Sequence, residues 1–289
     1  MSVTYRDLVT GSIKLVSVPE LYVRLNEAVE NPASTTAKIG QIISQDPALT
    51  AHLLKIANSP LYGFTSKIDT ISRAVMVIGT RGLRDLALAT SAVDIFSKIP
   101  GTMISMASFW RHSIFTGVIA RILAGRCNVL HSERLFVTGL LHDIGQLIIF
   151  YKLPEMARDA LYRSRSTGQL LHEAEREVMG FDHAMVGGEI LRLWNLPVSL
   201  AEAVTYHHEP DGTDEYALEA AIIHLASSLA SIGEGMTLSG GTYEPTVYDA
   251  ISWERINQSP DITDTVLCEA RPHFIAALSL FLPKTAVAV

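Results

Sequence analysis

The sequence predicts an all-α fold. Three observations carry this expectation: apolar residues recur at three- and four-residue intervals along most of the chain, sustained period-2 alternation is absent, and Pro, Gly and capping residues punctuate the pattern at helix-length intervals. With 289 residues, 48% hydrophobic and 18% charged, the chain can bury a full core, so disorder is excluded as its main state.

Asp46-Pro47 reads as an N-cap followed by Pro at the first helical position, with Leu49, Leu53, Ile56 and Ala57 on one face. Asn58-Ser59-Pro60-Leu61-Tyr62-Gly63-Phe64 is a breaker cluster that predicts a turn, pinned to the core by Tyr62 and Phe64. Thr70 caps a short helix carrying Ile71, Val75 and Ile78, closed by Gly79. Thr80 caps the next, which runs through Leu83, Leu86, Ala87 and Val93 to about Ser97, with Arg81 and Arg84 on its solvated face. Ile99-Pro100-Gly101 marks a seam between an N-terminal helical half, residues 1–100, and a second half, 101–232.

Past the seam, Trp110, Ile114, Val118 and Ile122 define a helix up to Gly125. Ser132 caps another, expected from about Glu133 to Tyr151 and stopped before Pro154. Further helices are expected over roughly 155–166, 170–179, 184–194, 198–208 and 217–232, separated by Gly168, Gly180, Pro197 and Pro210. Asp182 reads as the N-cap of the helix that His183 opens. Segment 233–245 is the most loop-like stretch, followed by a short helix near Trp253 and a longer one after Pro260 with a kink expected at Pro272. Residues 233–289 are expected to complete the bundle.

Charge and cysteine usage narrow the function classes. Lys and Arg number 23 against 30 Asp and Glu, a net charge of −7 with no basic stripe, which argues against nucleic acid as a partner. Two distant cysteines, Cys127 and Cys268, make no disulfide framework and suit a reducing, cytoplasmic setting. The N-terminus lacks the pattern of a signal peptide, and the apolar stretch from Phe274 to Pro283 reads as a buried helix, so no membrane insertion is expected. No P-loop, strand-borne GxGxxG or GxSxG elbow is found.

The chemistry-bearing residues are histidines. His142-Asp143 lies within Gly139-Leu140-Leu141-His142-Asp143-Ile144-Gly145, an apolar stretch where a buried carboxylate costs several kcal/mol unless it is paired or bound to a cation. His112 follows Trp110 on an apolar helix, His183 opens a helix, and His207-His208 closes one before Glu209-Pro210. Neighbouring helical residues diverge by about 100°, so only converging helices can bring these groups around one ion. Five imidazoles and one carboxylate suit a transition metal such as iron, zinc or manganese. Spacing alone favours neutral core or surface histidines with ordinary hydrogen bonds.

Several ordered motifs resemble the HDOD domain (HD-related output domain): Val18-Pro19-Glu20-Leu21, Ile43 to Thr50, Leu54-Lys55-Ile56-Ala57-Asn58-Ser59, Ile71 to Gly79, Trp110-Arg111-His112-Ser113, Gly139 to Gly145, and Trp194-Asn195-Leu196-Pro197. The resemblance covers about residues 15–230. It implies an all-helical bacterial signalling module, non-catalytic, in which an N-terminal helical half packs on an HD-like half. The metal-binding pattern of the related HD-GYP phosphodiesterases maps onto His112, His142, Asp143, His183, His207 and His208, each of the expected type. Elsewhere the chain departs from that pattern: Ser108 stands where an acidic ligand is expected, His224-Leu225-Ala226-Ser227-Ser228 lacks the late-helix Asp, and Gln146 replaces a Lys. The GYP signature is also absent.

A two-metal hydrolase uses carboxylates to hold ions about 3.5–4 Å apart, so these losses favour ion binding over phosphodiester cleavage. The expectation is a non-enzymatic signalling or regulatory protein that acts through a protein partner, with a nucleotide as a further candidate ligand. The alternative is a metal-dependent phosphohydrolase or cyclic-dinucleotide phosphodiesterase, with one ion at His112, His142 and Asp143 and a second at His183, His207 and His208. The chain shows no receiver, GGDEF or EAL segment, so input must come from a partner or ligand.

Overall fold

The computed structural model describes residues 4–13, 15–99, 103–235 and 249–282, and among these it contains helices and turns but no β-strand. The N-terminal helices are α1 (Tyr5–Thr10), α2 (Glu20–Glu30), α3 (Thr36–Ile43), α4 (Pro47–Ala57), α5 (Ile71–Ile78) and α6 (Thr80–Phe96). Then come α7 (Met106–Arg126), α8 (Ser132–Leu141), α9 (Ile144–Lys152), α10 (Pro154–Thr167), α11 (Leu171–Met179) and α12 (His183–Leu193). The chain continues through α13 (Val198–Thr205), α14 (Ala217–Glu234), α15 (Ala250–Arg255) and α16 (Thr263–Phe281).

Local capping explains many of these boundaries. Asp46 accepts from the N–H groups of Ala48 and Leu49, Thr70 from that of Arg73 and Asp182 from that of Met185, each satisfying donors the helix itself cannot. Thr4 and Asp7 form a capping box that starts α1, and Thr35 caps α3. Gly79 closes α5 with φ 85° and also precedes α6, so Thr80 is the first residue of that helix rather than its cap.

Other expectations need correction. The helix anticipated from Glu133 to Tyr151 is interrupted at His142-Asp143, which form a turn between α8 and α9. Ser132 is the first residue of α8, preceded by His131 in the left-handed region with φ 64°. α13 ends at Thr205, which leaves His207 and His208 on a turn instead of a helix end. α14 extends through Glu234, two residues past the expected end, while Pro272 lies inside α16. Pro100, Gly101 and residues 236–245 lie outside the described residues. Arg84 is buried: its guanidinium pairs with Asp85 at 2.8 Å and Glu30 at 2.5 Å, tying α6 to α2. Tyr62 does pack against the core, while Phe64 stacks on it from outside.

α7 is the central helix, packed on α8, α14 and α16. α6 joins the N-terminal helices α2, α4 and α5 to α8, and α12 lies against α9, α13 and α1. α7 and α8 approach closely where a Cβ added to Gly139 would fall 2.8 Å from backbone atoms of Gly117. A second such contact sets α9 on α12, because a Cβ on Gly145 would fall 2.0 Å from the carbonyl oxygen of His183. Segment Ser132–Lys152 is apolar and long enough to cross a membrane, yet most of it is buried inside the fold as α8 and α9.

Candidate metal centre

These contacts converge six side chains on one region. The α8–α9 turn presents His142 and Asp143, the first residue of α12 is His183, the turn after α13 supplies His207 and His208, and His112 projects from α7. Ligand atoms of His112, His142 and Asp143 lie within 4.8 Å of one another, as do those of His183, His207 and His208. All six residues named from the sequence are thus brought together, five of them buried and His208 half-buried.

Asp143 stands at the middle. Its Oδ2 is 3.4 Å from His142 Nε2, and its Oδ1 is 3.3 Å from His183 Nε2 and 3.8 Å from His207 Nε2. The far side of each ring is fixed. Nδ1–H of His142 donates to the Gly139 carbonyl and that of His207 to the Val204 carbonyl, each at 2.7 Å. Nδ1–H of His183 donates to Glu175 Oε2 at 2.6 Å, and the His183 backbone N–H donates to the same oxygen at 2.9 Å. A neutral imidazole with its proton on Nδ1 carries a lone pair on Nε2. The lone pairs of His142 and His207 therefore face carboxylate oxygens, and neither Nε2 has a hydrogen-bond partner.

Acceptor facing acceptor in a buried site is unfavourable unless a cation or proton lies between. The residues present therefore fit a metal ion: neutral nitrogen donors, an ionised oxygen donor, and outer partners that fix ring orientation. The ligands of such an ion would be drawn from these side chains.

Burial and mutual charge set the protonation states. Burial pushes His142 down to about 4, with His112 adding to the effect and Asp143 opposing it. Burial, then the charge of neighbouring imidazoles, also holds His207 and His208 well below the ordinary value. His183 goes the other way: burial opposes its charge, but Glu175 and Asp143 together hold it well above. Burial would raise Asp143, yet His142, His183 and His207 hold its carboxyl far below the usual range. His183 and His208 approach with Nε2 atoms 2.8 Å apart, which requires a shared proton or a cation.

His112 sits at the margin. Its Nε2 is 3.3 Å from Ser227 Oγ and 3.4 Å from Thr116 Oγ1, while its Nδ1 is 3.6 Å from Glu234 Oε2. The Glu234 side chain is buried and also accepts from Arg111 at 3.1 Å.

Sequence reasoning did not select Glu175, Glu234 or His224. Glu175 stands behind His183, on the side away from Asp143, so it adds negative charge without supplying a second bridging carboxylate. His224, where the late-helix acid is missing, donates from Nδ1 to the His207 carbonyl at 2.7 Å and so braces the turn that carries His207 and His208.

Comparisons with known proteins identify the family and the fold. Residues 15–210 match the family profile of the HDOD domain. A curated protein of Treponema pallidum, described only as uncharacterized, is 26% identical over 251 residues; that stretch is 86% of this chain, which spans about half (47%) of the relative. An HDOD domain protein of unknown function from Geobacter sulfurreducens superposes with a TM-score of 0.77 at 22% identity, covering 96% of this chain and 98% of that one. A protein of Shewanella amazonensis named as a candidate phosphohydrolase gives 0.74 at 23% identity, covering 95% and 98%. A candidate signal transduction protein of Marinobacter aquaeolei gives 0.69 at 18% identity, covering 96% of this chain and 65% of that one. The family match spans well over half of the sequence, and the chain belongs to the HDOD domain family.

Proposed function

We propose that this chain is a regulatory HDOD protein of the bacterial cytoplasm whose buried centre holds a transition-metal ion and does not cleave phosphodiesters. The observation that carries the reading is the pair of unpartnered Nε2 atoms on His142 and His207 facing Asp143. Iron, zinc and manganese each accept this nitrogen-rich donor set. Bound there, the ion would act as a charge that fixes the relative positions of α8, α12 and the turn after α13. Signal output then passes to a protein partner through the helical surface, with neither nucleic acid nor membrane insertion involved.

Carboxylate scarcity supports binding over turnover. Among the described residues, Asp143 is the one carboxylate paired with the Nε2 atoms of His142, His183 and His207, and it is 6% exposed while His142 is 0% and His183 2%. Two ions held close together need more negative charge than that, and a phosphodiester needs open access to the metal.

One observation favours the second reading, a metal-dependent phosphohydrolase. The donors fall into two separate three-residue groups, the arrangement two ions would use. The experiment that separates the readings is elemental analysis of purified wild-type and His142→Ala protein, followed by hydrolysis assays of a phosphodiester and a cyclic dinucleotide with manganese, iron and zinc. We expect about one equivalent of metal, lost in His142→Ala, and no hydrolysis. A wild-type protein that takes up no metal overturns the first reading. Hydrolysis abolished by Asp143→Ala establishes the second.

A further inference from the structure

Away from this centre, a cavity of about 360 Å³ lies between the C-terminal part of α7, the start of α8, α16 and the turn that carries Leu61. It is nine to fourteen residues beyond His112 on α7, about 14–21 Å at 1.5 Å per residue. Arg121, Gly125 and Arg126 line one face of α7, Glu269 and His273 lie one turn apart on α16, and Ser132 is the first residue of α8.

Two buried ring or guanidinium nitrogens here lack partners. Arg126 gives Nη2–H to Glu269 at 2.8 Å, but its Nε is buried with no acceptor. His273 Nδ1 is likewise buried without a partner. Arg121 donates from Nη1 to the Leu61 carbonyl and lies over the Tyr62 ring at 4.7 Å, and Glu133 is 3.9 Å from its Nη2. α8 starts with no side-chain cap, so the N–H groups of its first turn add positive potential beside Ser132. A guanidinium fork with an idle edge, as on Arg126, matches the paired oxygens of a phosphate group. Leu61, Val118 and Ile122 form an apolar wall, and the volume falls at the low end of the about 300–1,000 Å³ typical of small-molecule sites.

We propose that this cavity binds a small phosphate monoester, with Arg126 and Arg121 holding the phosphate group and the apolar wall taking the organic part. The site does not depend on whether the histidine centre holds a metal.

Calorimetric titration of the purified chain with adenosine 5′-monophosphate, inorganic phosphate and adenosine tests this. The monophosphate should bind saturably, inorganic phosphate more weakly, and adenosine not at all. Arg126→Ala should weaken binding at least about tenfold, the effect of losing a charge-assisted hydrogen bond. A Cβ at Gly125 meets nothing within 4 Å, so Gly125→Met can fill the cavity and should abolish binding while metal content stays unchanged. Asp143→Asn should leave binding intact. Absence of saturable binding overturns the proposal, as does binding that survives both cavity substitutions or is lost with Asp143→Asn. Equal affinity for inorganic phosphate removes the organic moiety from it, and equal affinity for adenosine removes the phosphate.

Discussion

The far nitrogen of each ring decides what Asp143 faces. Carbonyls of Gly139 and Val204 fix His142 and His207 as Nδ1–H tautomers, whereas His183 is backed by a full carboxylate from Glu175. Carboxylate behind imidazole raises the basicity of a metal-binding nitrogen, and removing such a partner costs about 10–100-fold in metal affinity. Glu175→Gln keeps an acceptor oxygen but removes the charge. We expect that loss in competition with a chromophoric chelator, with the bound stoichiometry unchanged; affinity equal to wild type would show that Glu175 plays no part in ligation. The six site residues were legible because their types and order are distinctive. Glu175 was not, for a physical reason: it lies in Leu171-His172-Glu173-Ala174-Glu175-Arg176-Glu177, where three acids share one short helix. Only packing against α12 selects the one that turns inward.

Helix starts were legible where a single side chain closes them, as at Asp46, Thr70 and Asp182. Apolar periodicity runs unbroken from Leu135 across His142-Asp143 to Phe150, so the break between α8 and α9 leaves no mark in the pattern. Burial of Arg84 was hidden similarly, because its partner Glu30 is 54 residues away. The element contact that matters most to the centre is α7 on α8. Gly139→Ala would force a methyl to within 2.8 Å of Gly117 backbone atoms, which cannot rotate aside. Overpacking of this kind costs about 1–3 kcal/mol, and because His112 and His142 ride on these two helices, metal affinity should fall with stability. Thermal denaturation and metal titration of Gly139→Ala check both, and a wild-type melting temperature would mean that the helices separate freely.

Across the molecule, a net charge of −7 is spread over the whole chain, while the centre buries several imidazoles around one carboxylate. That arrangement makes the metal-free fold sensitive to acid. In the unfolded chain each histidine takes a proton near 6.5. Folded His142 does so only near 4, and His207 and His208 are also held well below the ordinary value. Between those limits the unfolded state binds more protons than the folded one, so stability falls as pH falls. For His142 alone the loss approaches about 3 kcal/mol by pH 4, at 1.36 kcal/mol per pH unit. His183 has the opposite sign: its raised value makes a contribution that is complete below 6.5 and fades only as pH rises through its folded value. It therefore cannot rescue the acid side. Chelator-treated protein should lose melting temperature steadily from pH 6.5 toward 4.5, and substituting His142 by Gln should flatten that slope. A melting temperature constant across the range would mean that these rings already carry their protons in the folded state, and with them the cation that Asp143 requires.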